Sequence, residues 1–379
     1  MKHSFYDYII LGGGCASLSL AMNLVKKNVN SKSFLIIEKR ASYTDDRSWC
    51  FWEKNSTKYQ DMISRSWEKW CFSKKRIYNY QENQGYSYHY IRSLNFYNKA
   101  IKVIRNSPNI KIKLGESVLK VKNKNKLIVI ETNKSKYLAE KVLDTRPQKG
   151  FFLDQPLIYQ SFLGYELKLN KLNNIKKIAH IMDDMRILNG NFIFDYILPI
   201  SKNKILFETT FFSNLSVSKN LIKVELLKKI RENNFKEYLI LREEYGVIPM
   251  GFIKKIKEKK NNYFYAGTSA GAIRASSGYG FLRIQDWAEK CSYNIKKNDN
   301  LITHPKEKKI LYFMDKFFIR ILLKNTTLGP DIFFHFFSRV SPEIFIKFMN
   351  GKTNILENIK VILSMPSKIF LDFLIRRKK

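Results

Sequence analysis

The residues in this chain that could do chemistry are glycine runs, isolated carboxylates and clustered aromatics. The run Gly12-Gly13-Gly14-Cys15-Ala16-Ser17 is a GxGxxG pattern with serine in its third position. There Gly12 permits a tight turn, Gly14 lets a pyrophosphate approach backbone N–H groups at a helix N-terminus, and Ser17 replaces the glycine that allows helix and strand to pack closely. Glu38 follows Gly12 by 26 residues, near the spacing at which a carboxylate accepts from ribose hydroxyls. A second glycine loop, Gly267-Thr268-Ser269-Ala270-Gly271, lies far downstream and precedes another helix. A cofactor gripped at two distant points of the chain fits FAD, whose isoalloxazine must be held well away from its pyrophosphate.

The candidate acid is Glu208, in Leu206-Phe207-Glu208-Thr209-Thr210 ahead of Phe211-Phe212. An apolar setting raises a carboxyl pKa and lets it hold a proton near neutral pH. Strand alternation predicts Glu208 on the face of Leu206 and Thr210, opposite Phe207. Paired acids at Asp45-Asp46 and Asp183-Asp184 are placed to tune a neighbouring pKa, or are surface turns. Arg47, Trp49, Trp52 and Asp183 are candidates to stabilise a cation or line a substrate pocket, since aromatic faces attract positive charge. The histidines (His3, His89, His180, His304, His335) show no ligand spacing and the cysteines (Cys15, Cys50, Cys71, Cys291) form no CxxC, so neither a metal centre nor a nucleophile triad is expected.

These residues need elements to position them. A short apolar strand, Tyr6 to Leu11, a helix carrying Leu18, Leu20 and Leu24, and a second strand, Phe34 to Ile37, predict a βαβ unit at the N-terminus. An aromatic segment follows, through Trp67 and Trp70 to Tyr90. Residues 101–146 read as short strands with lysine-rich turns, and 151–250 as strands of mixed character. Tyr263 to Ala266 is again a parallel-type strand, followed by a helix from about Gly280 to Ile295, and the chain is mostly helical from Ile310. The first strand and the strand at 263–266 are expected in one sheet. The expected division is a discontinuous cofactor region (1–75, 101–150, 255–300), a substrate region (76–100, 151–254) and a helical layer from 301 to 379 that faces a membrane.

Composition bounds the partners. The chain has 379 residues, 45% of them hydrophobic, enough for a sizeable core. Its formal charge of +35 points to a polyanionic partner, yet the lysines are spread along the chain instead of forming one arm. An anionic membrane surface is therefore expected ahead of nucleic acid. The segments FFIRILL, DIFFHFFSRV and IFIKFMN mix apolar faces with basic residues, as peripheral helices do. No stretch reaches the roughly 18 to 20 apolar residues of a spanning helix. The N-terminal apolar run reads as a buried strand and not an export signal, and the cysteine usage fits a reducing, cytoplasmic compartment.

Taken together, the segments YDYIILGGGCASLSLA, DDRSWCFWE, VLDTRP, FLDQPLIYQSFLG, IMDDMR, FIFDYILPIS, ILFETTFF, YGVIPM and AGTSAGAIRASSGYGFLRIQ resemble the bacterial FAD-dependent lycopene cyclases over nearly the whole chain. The resemblance implies an α/β Rossmann-like FAD-binding fold of the flavin hydroxylase/reductase type, an interleaved mixed-sheet substrate domain and a helical C-terminal layer. It implies cyclisation of the linear ends of lycopene, drawn from the bilayer, to β-rings, with reduced FAD as a cofactor that undergoes no net redox change and NADPH or NADH as electron source. The family's acid motif falls on Phe207-Glu208-Thr209-Thr210, with Thr209 where the family often carries a second acid. Glu208 is then the acid that starts a carbocation in a dry pocket, and the oxidised enzyme is inactive. The expected location is peripheral, on the cytoplasmic side of the membrane; oligomeric state is left open. The alternatives are a flavin-dependent monooxygenase or prenyl-lipid reductase, a nucleic-acid-binding protein, which would need a clustered basic face that is not found, and a non-enzymatic carotenoid or lipid carrier.

Overall fold

In a computed structural model of the protein, residues 4–147, 153–170, 177–235, 237–253 and 262–375 are described. The chain begins with β1 (Ser4–Leu11), α1 (Cys15–Lys26) and β2 (Phe34–Glu38), the predicted βαβ unit. In α1 the apolar residues Leu18, Leu20, Ala21 and Leu24 are buried, and Lys26 in the last turn complements the helix dipole. Next come β3 (Ser48–Lys54), β4 (Arg65–Trp67), β5 (Lys69–Lys74), β6 (Ile77–Glu82) and β7 (Tyr86–Arg92). Helix α2 (Ser93–Arg105) follows, then β8 (Ile110–Leu114), β9 (Val118–Lys124), β10 (Leu127–Thr132) and β11 (Lys136–Asp144).

The middle of the chain supplies β12 (Leu153–Leu169), β13 (Ala179–Leu188), β14 (Asn191–Pro199) and β15 (Lys204–Ser213). Helix α3 (Lys219–Glu232) separates these from β16 (Tyr238–Ile253) and β17 (Tyr263–Tyr265). The remainder is helical: α4 (Phe281–Asn298), α5 (Lys309–Lys324), α6 (Gly329–Arg339), α7 (Pro342–Met349), α8 (Ile355–Leu363) and α9 (Ser367–Ile375). Both α6 and α7 carry proline in the first turn, where its missing N–H costs nothing.

The strands form two seven-stranded sheets and a three-stranded one. The first sheet has the order β8-β2-β1-β11-β10-β9, with β17 pairing β11. Thus the first strand and the strand at 263–265 do share a sheet, through β11. The second sheet has the order β16-β12-β15-β14-β13-β5-β6, and β3-β7-β4 make the third. Helices α1, α2 and α4 pack on the first sheet around Leu20, Phe96 and Trp287. The second sheet buries one face against α3 through Phe207 and Leu226, and the other against the C-terminal helices through Leu206, Phe336 and Phe345.

Three expectations change. Residues 101–105 belong to α2 and not to a strand, because Phe96, Tyr97, Ala100 and Ile104 form one buried helical face. Likewise α3 stands within the stretch expected to be all strands; Ser218 caps it, accepting from Leu221 N–H. The division into layers also shifts: β5 pairs with β13 in the second sheet, while α2 packs beside α1 on the first. In the C-terminal layer Ile319, Phe336 and Phe345 are core residues, and the exposed apolar side chains concentrate instead on α8.

Candidate active site

The strand register brings Leu11, Asp144 and Tyr265 side by side, so the loops after β1, β11 and β17 meet at one sheet end, where open α/β sheets bind ligands. Gly12 N–H donates to Ile37 O at 2.8 Å, and Thr145 Oγ1 donates to Leu11 O and Gly12 O at 3.0 and 3.1 Å. With φ at +92°, Gly12 adopts a backbone that L side chains avoid, and a Cβ there would lie 3.0 Å from Thr145 Oγ1. Its neighbours differ from each other. A Cβ on Gly13 would lie 2.9 Å from Glu38 Cβ, whereas one on Gly14 would meet nothing within 4 Å. Gly14 also begins α1 with no side-chain cap and no acid in the first turn, leaving a cradle of backbone N–H groups beside open space. That cradle fits a pyrophosphate. Ser17, by contrast, is buried and donates to Gly14 O at 3.0 Å, so it packs the helix and does not face the cradle.

Glu38 accepts from Gly13 N–H at 2.5 Å and from Arg40 Nε at 3.1 Å. Burial pushes its pKa up, but the Arg40 guanidinium and the backbone N–H groups of Arg40 and Gly13 outweigh that and hold it below the usual carboxylate range. The second glycine loop arrives alongside: a Cβ on Gly267 would lie 3.7 Å from Ala16 Cβ and 3.5 Å from Thr145 O. Gly267 N–H donates to His304 Nε2 at 2.9 Å, and burial, aided by Arg283, pushes that imidazole down to about 3, keeping it a neutral acceptor. Gly271 closes the turn in the left-handed region. Arg40, Thr145 and His304 escaped sequence reasoning, although Arg40 follows Glu38 by two residues and Thr145 ends the VLDTRP strand.

The second site is a cavity of about 1480 Å³ between the second sheet and the C-terminal helices. Arg47, Trp49, Trp52 and Glu208 all line it, together with Tyr88, Tyr196, Phe194 and Phe212. Trp49 meets Phe281 with ring centroids 5.7 Å apart, and Trp52 meets Tyr88 at 4.5 Å. Register places Glu208 opposite Tyr196 on one side and Gly164 on the other, and Gly164 opposite Glu244. Side chains in such a row share a face. The glycine keeps the row open, since a Cβ there would lie 3.1 Å from Glu208 Cβ and 3.3 Å from Glu244 Cγ. Leu206 lies with Glu208 on the cavity face and Phe207 packs against α3, as alternation predicted.

Burial raises the Glu208 carboxyl to about 8, and Glu244 pushes it the same way; the Thr210 hydroxyl, donating to Glu208 Oε1 at 3.0 Å, and Arg242 oppose this. Burial also raises Glu244, against Arg242 and Ser48. Ser48 Oγ and Arg242 Nη1 donate to Glu244 Oε2 at 2.9 and 3.2 Å. Arg242 in turn reaches Glu166 and the Tyr90 hydroxyl, while Arg92 binds Asp45. Neither Glu244 nor Gly164 was singled out from sequence; a lone glycine and one acid of Glu243-Glu244 carry no local signal.

Asp183 does not line the cavity. Its neighbour Met182 does, and Asp183 instead accepts from Ser73 Oγ at 2.6 Å and from His180 Nδ1 at 3.2 Å. The register of β13 against β14 shifts on both sides of Asp183, which turns the carboxylate away. The β5–β13 pairing sets His180 opposite Cys71, so Cys71, His180 and Asp183 present ligand-type atoms within 4.8 Å of one another, a grouping that sequence spacing did not reveal.

The lycopene cyclase protein family matches residues 7–374, nearly the whole chain. The chain belongs to the lycopene cyclase family. No curated protein matches its sequence. Among solved structures, this family member is similar to a geranylgeranyl bacteriochlorophyll reductase-like protein from Thermoplasma acidophilum, with TM-score 0.63 and 12% identity, covering 98% of this chain and 99% of the other. It is also similar to a flavoprotein/dehydrogenase from Cytophaga hutchinsonii (TM-score 0.62, 12% identity, 99% and 100% covered) and to p-nitrophenol 4-monooxygenase from Pseudomonas putida (TM-score 0.60, 11% identity, 98% of each chain). These likenesses establish the predicted α/β fold of the flavoprotein hydroxylase/reductase type for this lycopene cyclase family member.

Proposed function

We propose that the chain is a lycopene β-cyclase that converts the linear ends of lycopene to β-rings by proton-initiated cyclisation. The observation that carries this reading is Glu208 on the wall of a large aromatic cavity, where burial raises its carboxyl pKa to about 8. Glu208 donates its proton to C2 of the terminal C1=C2 double bond. The tertiary cation at C1 is attacked by the C5=C6 bond, and loss of a proton from C6 completes the ring. Trp49, Trp52, Tyr88 and Tyr196 surround the path with aromatic faces that attract the cation and exclude the water that would trap it. The cavity's volume of about 1480 Å³ exceeds the ~300–1,000 Å³ of ordinary small-molecule sites and suits a long hydrocarbon.

FAD fits the first site: Gly12 and Gly14 would hold its pyrophosphate, Glu38 would accept from its ribose, and Gly267 and Gly271 shape the loop alongside. Bound there in its reduced form, with NADPH or NADH as electron source, FAD would supply negative charge that stabilises a cation without a net redox change.

The substrate is a bilayer solute, and the cavity is lined at its outer end by Phe313, Ile362, Leu363 and Leu371, which are 65%, 50%, 71% and 56% exposed. Ile355 and Leu356 on α8 extend this apolar surface, with exposed Lys352, Lys360 and Lys368 around it. An anionic membrane would receive this face, with attachment peripheral and on the cytoplasmic side. Among the described residues no helix is long and apolar enough to cross a membrane.

The test is anaerobic incubation with lycopene liposomes, FAD and NADPH, followed by separation of acyclic, one-ringed and two-ringed products. Ringed products form with flavin used only catalytically, whereas a reductase or monooxygenase would consume reduced flavin with each product. Glu208→Gln lowers the rate about 10³-fold; an unchanged rate would remove Glu208 from the mechanism. In flotation with phosphatidylglycerol vesicles, the triple replacement of Ile355, Leu356 and Leu363 by serine weakens binding at least about tenfold, with unchanged melting. Undiminished flotation would rule out this face.

A further inference from the structure

The cyclisation takes a proton from C6 as well as giving one to C2, so the site needs a base as well as an acid. This inference rests on the reading of Glu208 as the acid. The row across the second sheet presents a candidate. Glu244 lies in register with Gly164, which lies in register with Glu208, and the two carboxylates flank a residue that has no side chain to keep them apart. Glu244 is 3% exposed, lines the cavity, and has Oε2 fixed by Ser48 and Arg242, yet its buried Oε1 has no hydrogen-bond partner. A buried carboxylate oxygen without a donor is costly, and in a residue that lines the cavity it has its acceptor capacity unspent.

We infer that Glu244 is the base of this site: its Oε1 takes the proton released from C6 and returns it to Glu208 across the gap left by Gly164. The balance closes. The Glu208 O–H bond breaks and a C2–H bond forms. The C5=C6 electrons make the C1–C6 bond, leaving the cation at C5. The C6–H bond then breaks, its electrons form the ring double bond between C5 and C6, and the proton passes to Glu244. Transfer from Glu244 to Glu208 restores the starting state with no electrons gained or lost.

The groups around the pair suit this exchange. Arg242 favours and Asp45 disfavours the charged form of Glu244, Tyr196 and Thr210 lie beside Glu208, Cys50 lines the same cavity, and the Tyr90 hydroxyl accepts from Arg242. Arg242 pairs with Glu166 and Asp45 as well as with Glu244, and two carboxylates brought this close favour one proton between them.

The test compares wild type with Glu244→Gln, Glu244→Asp, Gly164→Ala and Glu208→Gln in the liposome assay with reduced FAD, reading rate, pH profile and the position of the ring double bond. Glu244→Gln is expected to slow cyclisation at least tenfold, to move the alkaline limb of the profile to lower pH, and to yield rings whose proton is lost from C4 or a methyl group instead of C6. A purely structural role for Glu244 would leave the last two readouts unchanged. Glu244→Asp retains part of the rate, and Gly164→Ala, which keeps both acids but wedges a methyl between them, slows turnover; these two carry the test if the glutamine variant does not fold. Wild-type rate, profile and ring type in Glu244→Gln would overturn the assignment while leaving Glu208 as the acid. A fully active Glu208→Gln, or no ringed product from wild type, would instead sink the reading beneath it.

Discussion

In the first sheet the candidate cofactor site is made mostly of backbone: glycines at strand ends, a helix N-terminus, and one carboxylate held low by Arg40. In the second sheet the site is made of side chains on one face, with two carboxylates held high by burial. The difference follows from what each is proposed to receive. A pyrophosphate brings charge and is met by dipoles already in the chain. A hydrocarbon brings none, so the protein must carry the reactive proton itself and keep water away from it. On that proposal, one region accepts charge and the other stores a proton.

The largest test of their independence is the anchor that closes the cavity. Arg274 and Asp315 are 1% and 2% exposed and pair at 2.8 Å, tying the loop after β17 to α5, while the guanidinium also lies 4.0 Å from the Phe348 ring centroid. Asp315→Asn leaves a buried guanidinium underpaired and is expected to cost about 3–5 kcal/mol in urea unfolding. Carotenoid retention should fall while flavin binding, measured by fluorescence in conditions where the variant is folded, holds. Equal loss of both would show that the regions do not act separately.

A finer test lies within one glycine run. Gly13→Ala forces a methyl against Glu38 and Tyr43 and is expected to destabilise by about 1–3 kcal/mol. Gly14→Ala has open space and a negative φ, so its melting temperature should stay near wild type while FAD affinity drops at least tenfold. If Gly14→Ala binds FAD normally, the cradle is not the pyrophosphate site.

The smallest effect is one of sign. Glu38 has a depressed pKa, so its contribution to stability is present above the ordinary carboxylate range and disappears as pH falls through its folded value. Glu208 is raised to about 8, so the stability of its protonated form is intact at acid pH and is lost as pH rises from the ordinary range through about 8. Glu38→Gln should therefore melt lower than wild type at pH 7 and converge with it in acid. Glu208→Gln should gain on wild type as pH rises from the ordinary carboxylate range to about 8 and hold that gain above it. Melting curves across pH read both, with shifts of about 2 °C; shifts of the same sign would erase the contrast between the two sites.

Legibility divides along the same line. The candidate cofactor site lies on local runs, so Gly12, Gly14, Glu38 and the Gly267 loop could be picked out by spacing, and the fold brings their loops together. Glu208 was legible because its apolar neighbours and alternation are local, and Trp49, Trp52 and Arg47 do line the cavity. Asp183 misled because an irregular register reverses a side chain without leaving a trace in composition. Helix α3 was missed because its apolar residues do not gather on one face, Ile222, Leu226 and Ile230 being buried while Leu221 and Val224 are exposed, and packing under the second sheet decides the matter.

By itself the sequence determined the βαβ start, the glycine loops and the carboxyl on its strand, each within one stretch of chain, and the family, through short segments spread over nearly the whole length. The tertiary structure alone decided that Glu244 meets Glu208 across Gly164, that Cys71 meets His180, and that the exposed apolar surface lies on α8. Those pairings depend on which strands become neighbours and in what register, and register is set by the burial of whole faces, which no short segment encodes.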